Sequence, residues 1–400
     1  MKLLLEMLLL LGVSALAIPV AVVCIQCLAA VLPGRTPHNT TPGRRPRIAV
    51  LVPAHNEQAV LAETLEAIKA QLNTGDRLVV VADNCTDDTA HLARETGAEV
   101  VERNDAGRRG KGYALDCGIR YLEHDPPETV VVLDADCEPE SGAIVRIAHQ
   151  AAAIGRPVQA CYTMESSGRP NTKETVSRLA FIVKNLVRPL GLKRLGMPCL
   201  LTGTGMAFPW PIIATASLAD GNIVEDMNLG INLAIDGHPA ILCSEARVTS
   251  RMPERPEAAA GQRKRWEHGH LHTLLNQVPR LTNHSVLKRK PSLAVMALDL
   301  SVPPLALLSL LLGLAFGGCM LAAFAGLSHY PALICAASIA SLAACIAAAW
   351  FKFARRTIPV NSLLMIPLYV AWKIPIYLSF AIRRQETWVR TERKAEEAQS

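Results

Sequence analysis

The chain has 400 residues, half of them hydrophobic, 19% charged and 4% aromatic, with a formal net charge of +6. The length allows two or three domains, but the apolar content exceeds what soluble cores need and is concentrated at the two ends. The positive charge sits beside those apolar ends and is nowhere interleaved with aromatic residues, so it gives no nucleic-acid-binding surface.

From Leu3 to Leu32 the only charge is Glu6, which predicts a membrane span near 7–30. Lys2 followed by an apolar run containing Ser14-Ala15-Leu16-Ala17 resembles a cleavable leader, but the run continues to Leu32, so an uncleaved anchor at 1–34 is expected. Residues 36–46, rich in Thr, Pro, Gly and Arg, read as a linker.

Strand and helix patterns then alternate. An apolar strand at 48–52 ends in Pro53-Ala54-His55-Asn56-Glu57, and Val60, Leu61, Leu65, Ile68 and Leu72 follow at helical spacing. A second strand at 78–81 ends in Asp83-Asn84-Cys85-Thr86-Asp87-Asp88-Thr89. Helix 87–96, strand 98–101, helix 112–122, strand 129–133 and helix 141–154 continue the series, which predicts a doubly wound α/β domain with ligands at the strand carboxyl ends. Both polar clusters suit nucleotide binding there. Asn56, Thr86 and Asp87-Asp88 also suit plain helix capping.

The run from Thr129 to Leu133 reads as a strand buried on both faces, and it ends in Asp134-Ala135-Asp136. Carboxylates two residues apart point the same way and supply hard oxygen ligands to a divalent cation, whose natural partner is a nucleotide diphosphate. Before it, Gly107-Arg108-Arg109-Gly110-Lys111-Gly112 combines flexible backbone with three cations and offers a place for an anion. It is not a P-loop, and no GxGxxG follows the first strand, which argues against a dinucleotide-dependent oxidoreductase.

Further on, Leu201-Thr202-Gly203-Thr204-Gly205-Met206 is a glycine-punctuated loop, and Ile223-Val224-Glu225-Asp226 opens a helix at 226–235. A carboxylate at a helix start complements the dipole, and it can equally serve as a general base. Gln262-Arg263-Lys264-Arg265-Trp266 lies on a predicted helix, where an indole face packs against a sugar ring, Arg265 meets a diphosphate and Gln262 hydrogen-bonds hydroxyls. His268, His270 and His272 alternate after it. On a helix 268 and 272 share a face and 270 does not, so no metal site is expected there.

Spans are predicted near 303–325 and 331–351. Segment 358–381 contains Pro359, Pro367, Pro375 and Lys373 and precedes Arg383-Arg384, so it is interfacial, re-entrant or a further span. Basic clusters at Arg35, Arg44, Arg45 and Arg47, at Arg280, Lys288, Arg289 and Lys290, and at Lys352, Arg355 and Arg356 place those flanks in the cytoplasm, facing anionic headgroups. The sequons at Asn39, Asn84 and Asn283 are then chance matches. The eleven cysteines lack zinc spacing, and the sole CxxC, Cys24 to Cys27, lies in the first span, so free thiols are expected.

The series Asp83, Asp134-Ala135-Asp136, Glu225-Asp226 and Gln262-Arg263-Lys264-Arg265-Trp266, ahead of C-terminal spans, resembles the D, DxD, D, QxxRW pattern of processive glycosyltransferase family 2, the group of hyaluronan, chitin-oligosaccharide, poly-N-acetylglucosamine and cellulose synthases. The resemblance covers 48–270. It implies a GT-A-like nucleotide-sugar-binding domain with a mostly parallel sheet at 46–285, a C-terminal membrane domain at 291–382 and a cytoplasmic tail at 383–400. It implies that Pro53, His55, Glu57 and Asp83 hold uracil and ribose, with Lys111 close by, that Asp134 contacts the nucleotide and Asp136 a Mg2+ or Mn2+ ion, and that Arg265 meets the diphosphate. Asp226, paired with Glu225, would be the base; Gly203, Thr204, Gly205, Gln262 and Trp266 would line the acceptor site.

Two departures stand out: Val224 replaces the Thr that many relatives carry, and the membrane part is small. The expected activity is inverting transfer from a UDP-sugar to a glycan or lipid-linked acceptor at the inner membrane, with the catalytic domain in the cytoplasm and export or assembly subunits as partners. The alternatives are single transfer to a polyprenyl phosphate or other lipid, and a nucleotide-binding transport or assembly subunit without catalysis.

Overall fold

The computed structural model describes residues 1–34, 43–166, 171–219, 224–252 and 256–382. Arg35, Asn39, most of the linker, Ile223, Arg383-Arg384 and the tail lie outside them. Contacts divide the chain into a sheet unit, with described residues 43–166, 198–219, 224–252 and 256–269, and a helical unit with 1–34, 171–197 and 270–382. Residues 171–197 thus group with the apolar helices, inside the span from which a single 46–285 domain was expected.

Eight strands form one sheet: β1 (Ile48–Ala54), β2 (Arg77–Asp83), β3 (Glu99–Arg103), β4 (Thr129–Val132), β5 (Cys137–Pro139), β6 (Val158–Glu165), β7 (Met206–Pro209) and β8 (Ile241–Arg251). Helices in chain order are α1 (Lys2–Val31), α2 (Leu61–Lys69), α3 (Thr89–Glu95), α4 (Lys111–Leu122), α5 (Ala143–Ile154) and α6 (Thr172–Ile182). After a π-helical turn at Val183–Val187 come α7 (Arg188–Arg194), α8 (Trp210–Ile213), α9 (Glu225–Ile235) and α10 (Pro256–Leu287). The series closes with α11 (Pro291–Ser301), α12 (Leu305–Phe324), α13 (Tyr330–Phe353), α14 (Asn361–Leu364) and α15 (Ile366–Ile382).

The sheet order is β3-β2-β1-β4-β7-β6-β8-β5. The first four strands are mutually parallel; β7 runs against β4 and β6, β6 and β8 are parallel, and β5 is antiparallel to β8. The fold is GT-A-like, as expected, with a mostly parallel sheet. β1 is apolar along its whole length and β4 is apolar after buried Thr129, because both sheet faces are covered. On one face Leu115, Ile119 and Leu122 of α4, at helical spacing, pack with Leu51, Val79, Val81, Val130 and Phe208. Each such side chain removed from water contributes roughly 1.5–3 kcal/mol.

Register carries function. Ala54 pairs with Ala82 and Leu51 with Val132, so the loops after β1, β2 and β4 emerge level at one edge of the sheet. Strands β5 to β8 have no counterpart in the sequence reading. β6 is interrupted by a register shift between Ala160 and Cys161, and β5 is three residues long, too short for a pattern to emerge.

In the helical unit α1, α12 and α13 are long and apolar enough to cross a membrane. The segment at 358–381 instead breaks at Met365 into α14 and the shorter apolar helix α15. α1 packs along α7 and α13. Buried Arg188 donates to Gln26 Oε1 (2.8 Å), to the Asp299 carbonyl (2.8 Å) and to Asp299 Oδ1 (2.7 Å), which Gln26 Nε2 also reaches (2.8 Å). No member of this triad leaves its charge or amide uncompensated. At the end of α1, Arg194 donates to the carbonyls of Ala29, Ala30 and Leu32, and Lys352 to those of Ala30 and Val31. These groups satisfy the last-turn acceptors of a helix whose dipole is negative there.

The contact between α7 and α1 is backbone against side-chain-free surface. A Cβ on Gly191 would stand 2.1 Å from the Gln26 carbonyl oxygen. Gly191→Ala is therefore expected to push the two helices apart and destabilise the helical unit by about 1–3 kcal/mol. The check is a thermal scan of purified chain in detergent; a melting temperature equal to wild type would contradict so close an approach.

Candidate active site

At the end of β1 and β2 the chain turns through two residues in the left-handed region, Asn56 (φ 54°) and Asn84 (φ 52°). Asn56 does not cap a helix. Its Oδ1 accepts from the Thr86 amide (2.7 Å) and its Nδ2 donates to Thr86 Oγ1 (3.0 Å), so it ties the two loops together. Asp87 Oδ1 accepts from the Thr89 amide (3.1 Å), and Thr89 Oγ1 in turn accepts from the Glu57 amide (2.8 Å). The half-buried His55 ring meets the Asp83 carbonyl through Nδ1 (2.6 Å), beside half-buried Pro53.

Asp83 itself is buried, and its Oδ1 accepts from Arg103 (2.6 Å) and Asn84 Nδ2 (2.9 Å). Burial pushes this carboxyl up, and the Arg103 guanidinium only partly offsets it. Arg103 lies at the end of β3, paired in register with Asp83, and its guanidinium stands over the Tyr113 ring at 5.4 Å. Arg103 was not among the expected site residues, because the third strand reads as ending two residues short of it; Asn84 lay in the polar cluster expected there but was given no role of its own.

After β4, Asp134 and Asp136 come together as the sequence reading requires, with Cys137 beside them; one ligand atom from each lies within 4.8 Å of the others. Cys137 is buried, and burial pushes its thiol well up; Asp134 and Asp136 offer hard carboxylate oxygens, suited to Mg2+ or Mn2+. The Asp134 amide donates to Thr204 Oγ1 (3.1 Å). Lys111, first residue of α4, bonds Asp134 Oδ1 and donates to the Gly203 carbonyl (2.7 Å).

Gly203 joins this group to α9. It has φ +90°, and a Cβ there would meet Asp226 Oδ2 at 3.3 Å and Lys111 Nζ at 3.7 Å. Only glycine takes that backbone without strain while leaving the gap clear. Glu225 and Asp226 form the first turn of α9, where the helix dipole favours negative charge. Burial, with the Asp226 carboxylate added, still pushes Glu225 up to about 8 against the pull of Lys111. Burial alone would draw the Lys111 ammonium down, but Asp134, Glu225 and Asp226 outweigh it and hold it above the usual lysine range.

On α10, Gln262, Arg265 and Trp266 share one face at i, i+3 and i+4. Gln262 is buried, while Arg265 and Trp266 are half-buried. Burial draws the Arg265 guanidinium down, against Glu225 and Asp134, which places it within reach of the acidic cluster's field. His268 and His270 are both buried and His272 is exposed, near Asn276. The face shared by 268 and 272 in the helical reading is thus buried at one end and exposed at the other; His270 Nε2 meets the Val302 carbonyl (3.0 Å), and burial pushes it down to about 3. Arg108 and Arg109 are exposed and stand apart from these contacts.

Five separate segments thus bring Asp134, Asp136, Lys111, Gly203, Asp226 and Arg265 to one edge of the sheet unit. Formally four carboxylates, those of Asp134, Asp136, Glu225 and Asp226, face two cations, Lys111 and Arg265. The arrangement can bind a divalent cation, an anionic leaving group and a hydroxyl that must lose a proton.

A family profile described as Glycosyltransferase like family 2 matches residues 46–269, more than half of the chain. The chain is 34% identical over 107 residues to a probable glycosyltransferase, YdaM, from Bacillus subtilis, covering 25% of each chain. It is 37% identical over 99 residues to the low-salt glycan biosynthesis hexosyltransferase Agl6 from Haloferax volcanii, covering 23% of this chain and 21% of that one. The matches therefore span about a quarter of these relatives' length. Among solved structures, the mannosyltransferase PcManGT from Pyrobaculum calidifontis, in complex with GDP-Man and Mn2+, is similar with a TM-score of 0.51 and 17% identity, over 93% of this chain and 100% of that one.

Glu225 makes the stability of the site depend on pH. Its ordinary value of 4.5 rises to about 8 on folding, so between these values the folded chain holds a proton that the unfolded chain has lost, and stability falls as pH rises through that window. Glu225→Gln removes this contribution. Urea unfolding at about pH 5 and about pH 9 is expected to show the variant gaining on wild type at the higher pH; a difference independent of pH would refute the burial of this carboxyl.

Proposed function

We propose that this chain, which belongs to glycosyltransferase family 2, is a membrane-anchored inverting enzyme that moves a sugar from a UDP-sugar to a hydroxyl of a glycan or lipid-linked glycan. The observation that carries the reading is the continuous path from Asp136 through Asp134, Lys111 and Gly203 to Asp226. In this reading Asp226 takes the proton of the acceptor hydroxyl, the freed oxygen attacks the anomeric carbon, and the bond to the diphosphate oxygen breaks with its electron pair leaving on UDP. Glu225, keeping its proton, spares Asp226 a second negative charge next door. Asp136, with Asp134, would hold Mg2+ or Mn2+, which neutralises charge on the departing diphosphate when bound. Mn2+ in the similar mannosyltransferase supports a metal, and its GDP-Man makes GDP-sugars the donor to test against UDP-sugars.

Pro53, His55, Glu57 and Asp83 are assigned to the base and ribose, Arg265 to the diphosphate, and Gly203, Thr204, Gly205, Gln262 and Trp266 to the acceptor. The face shared by Gln262 and Trp266 favours a sugar acceptor. Three candidate spans among the described residues support anchoring, and the basic flanks support a catalytic unit on the cytoplasmic side of the inner membrane. The small membrane part favours a second reading, single transfer to a polyprenyl phosphate, over a self-contained polymer channel.

Purified membranes carrying the chain are expected to release UDP from one UDP-sugar only when divalent metal is present, tested by a donor screen with and without EDTA that includes GDP-mannose. Turnover of every donor in EDTA would remove Asp136 from the metal. Asp226→Asn is expected to lower turnover by about 10²–10⁴-fold with nucleotide binding retained. A transport or assembly subunit that only binds nucleotide would be indifferent to that change.

A further inference from the structure

We infer that Gln159 is a positioning residue for the reaction: its buried amide fixes the Thr202–Gly205 loop and so sets the distance between the base and the cationic centre. The inference rests on the reading of Asp226 and Lys111 as parts of a transferase site. Gln159 lies on β6, only 2% exposed, and is not among the residues assigned above to the nucleotide or the metal.

Its side chain brackets Gly203. Oε1 accepts from the Thr202 amide (2.9 Å), on one side of the glycine, and Nε2 donates to the Thr204 carbonyl (2.8 Å), on the other. The second Nε2 hydrogen goes to the Ala160 carbonyl (2.9 Å), which anchors the amide to its own strand. The loop has little stiffness of its own, since Gly203 and Gly205 both have positive φ, +90° and +65°. It nevertheless carries two contacts on which the site depends: the Gly203 carbonyl on Lys111 and the Thr204 hydroxyl under the Asp134 amide. Gly205 is held from behind, where a Cβ would strike Val248 at 2.8 Å. The amide of Gln159 is thus the element that spans the glycine facing Asp226, and a side chain of the same size without donor and acceptor would leave a buried N–H and C=O unpaired.

Gln159→Leu and Gln159→Glu in the full chain, purified in detergent, test this. In Gln159→Leu, hydrogen exchange of the peptide covering 200–206 is expected to quicken by about tenfold while peptides from β1 and β2 keep wild-type rates. Turnover is expected to fall by about 10²-fold with UDP affinity unchanged, the pattern of a misplaced site. Gln159→Glu is expected to recover relative to wild type as pH is lowered, because only a neutral carboxyl can both accept from Thr202 and donate to Thr204. Unchanged exchange at 200–206 overturns the inference whatever the activity, and so does a parallel loss of UDP affinity, turnover and melting temperature. A wild-type chain that turns over no nucleotide sugar, with exchange altered as expected, would instead overturn the transferase reading and leave the loop clamp standing.

Discussion

The site depends on one ammonium group. Lys111 stands between Asp134 and the Gly203 carbonyl, in the field of Glu225 and Asp226. Carboxylates contributed by two distant stretches of chain repel one another wherever water is scarce, and without a cation among them the loop after β4 and the start of α9 would be driven apart. The register of the parallel strands brings these segments level, and Lys111 makes their proximity tolerable. The remaining excess of negative charge suits a doubly charged ion, and the raised proton affinity of Glu225 reduces that excess.

Much of this was legible because it rests on periodicity and on polar residues at strand ends. The apolar runs of β1, β2 and β4 declare buried parallel strands, and Asp134 and Asp136, out of place in such a run, declare the functional edge. The capping interpretation of Asn56 was reasonable chemically yet did not hold, since a residue in the left-handed region can turn its amide across to a neighbouring loop. That choice is made by tertiary contact, which local pattern does not contain.

Other features left no local trace. Gln159 sits on a strand broken by a register shift, and nothing nearby marks it as different from a surface glutamine. Arg103 became visible only once β3 was paired against β2. The grouping of 171–197 with the apolar helices follows from Gly191 and Arg188, two residues whose meaning lies in what they touch, Gln26 and Asp299, more than a hundred positions away.

The terminal carbonyls of α1 are held by Arg194 and Lys352. Arg194 follows Ala30 by 164 positions and Lys352 follows Val31 by 321, so both clasps are synthesised long after the helix that they close. Until translation reaches α13 the last carbonyls of α1 therefore lack one of their two clasps, and water must satisfy them.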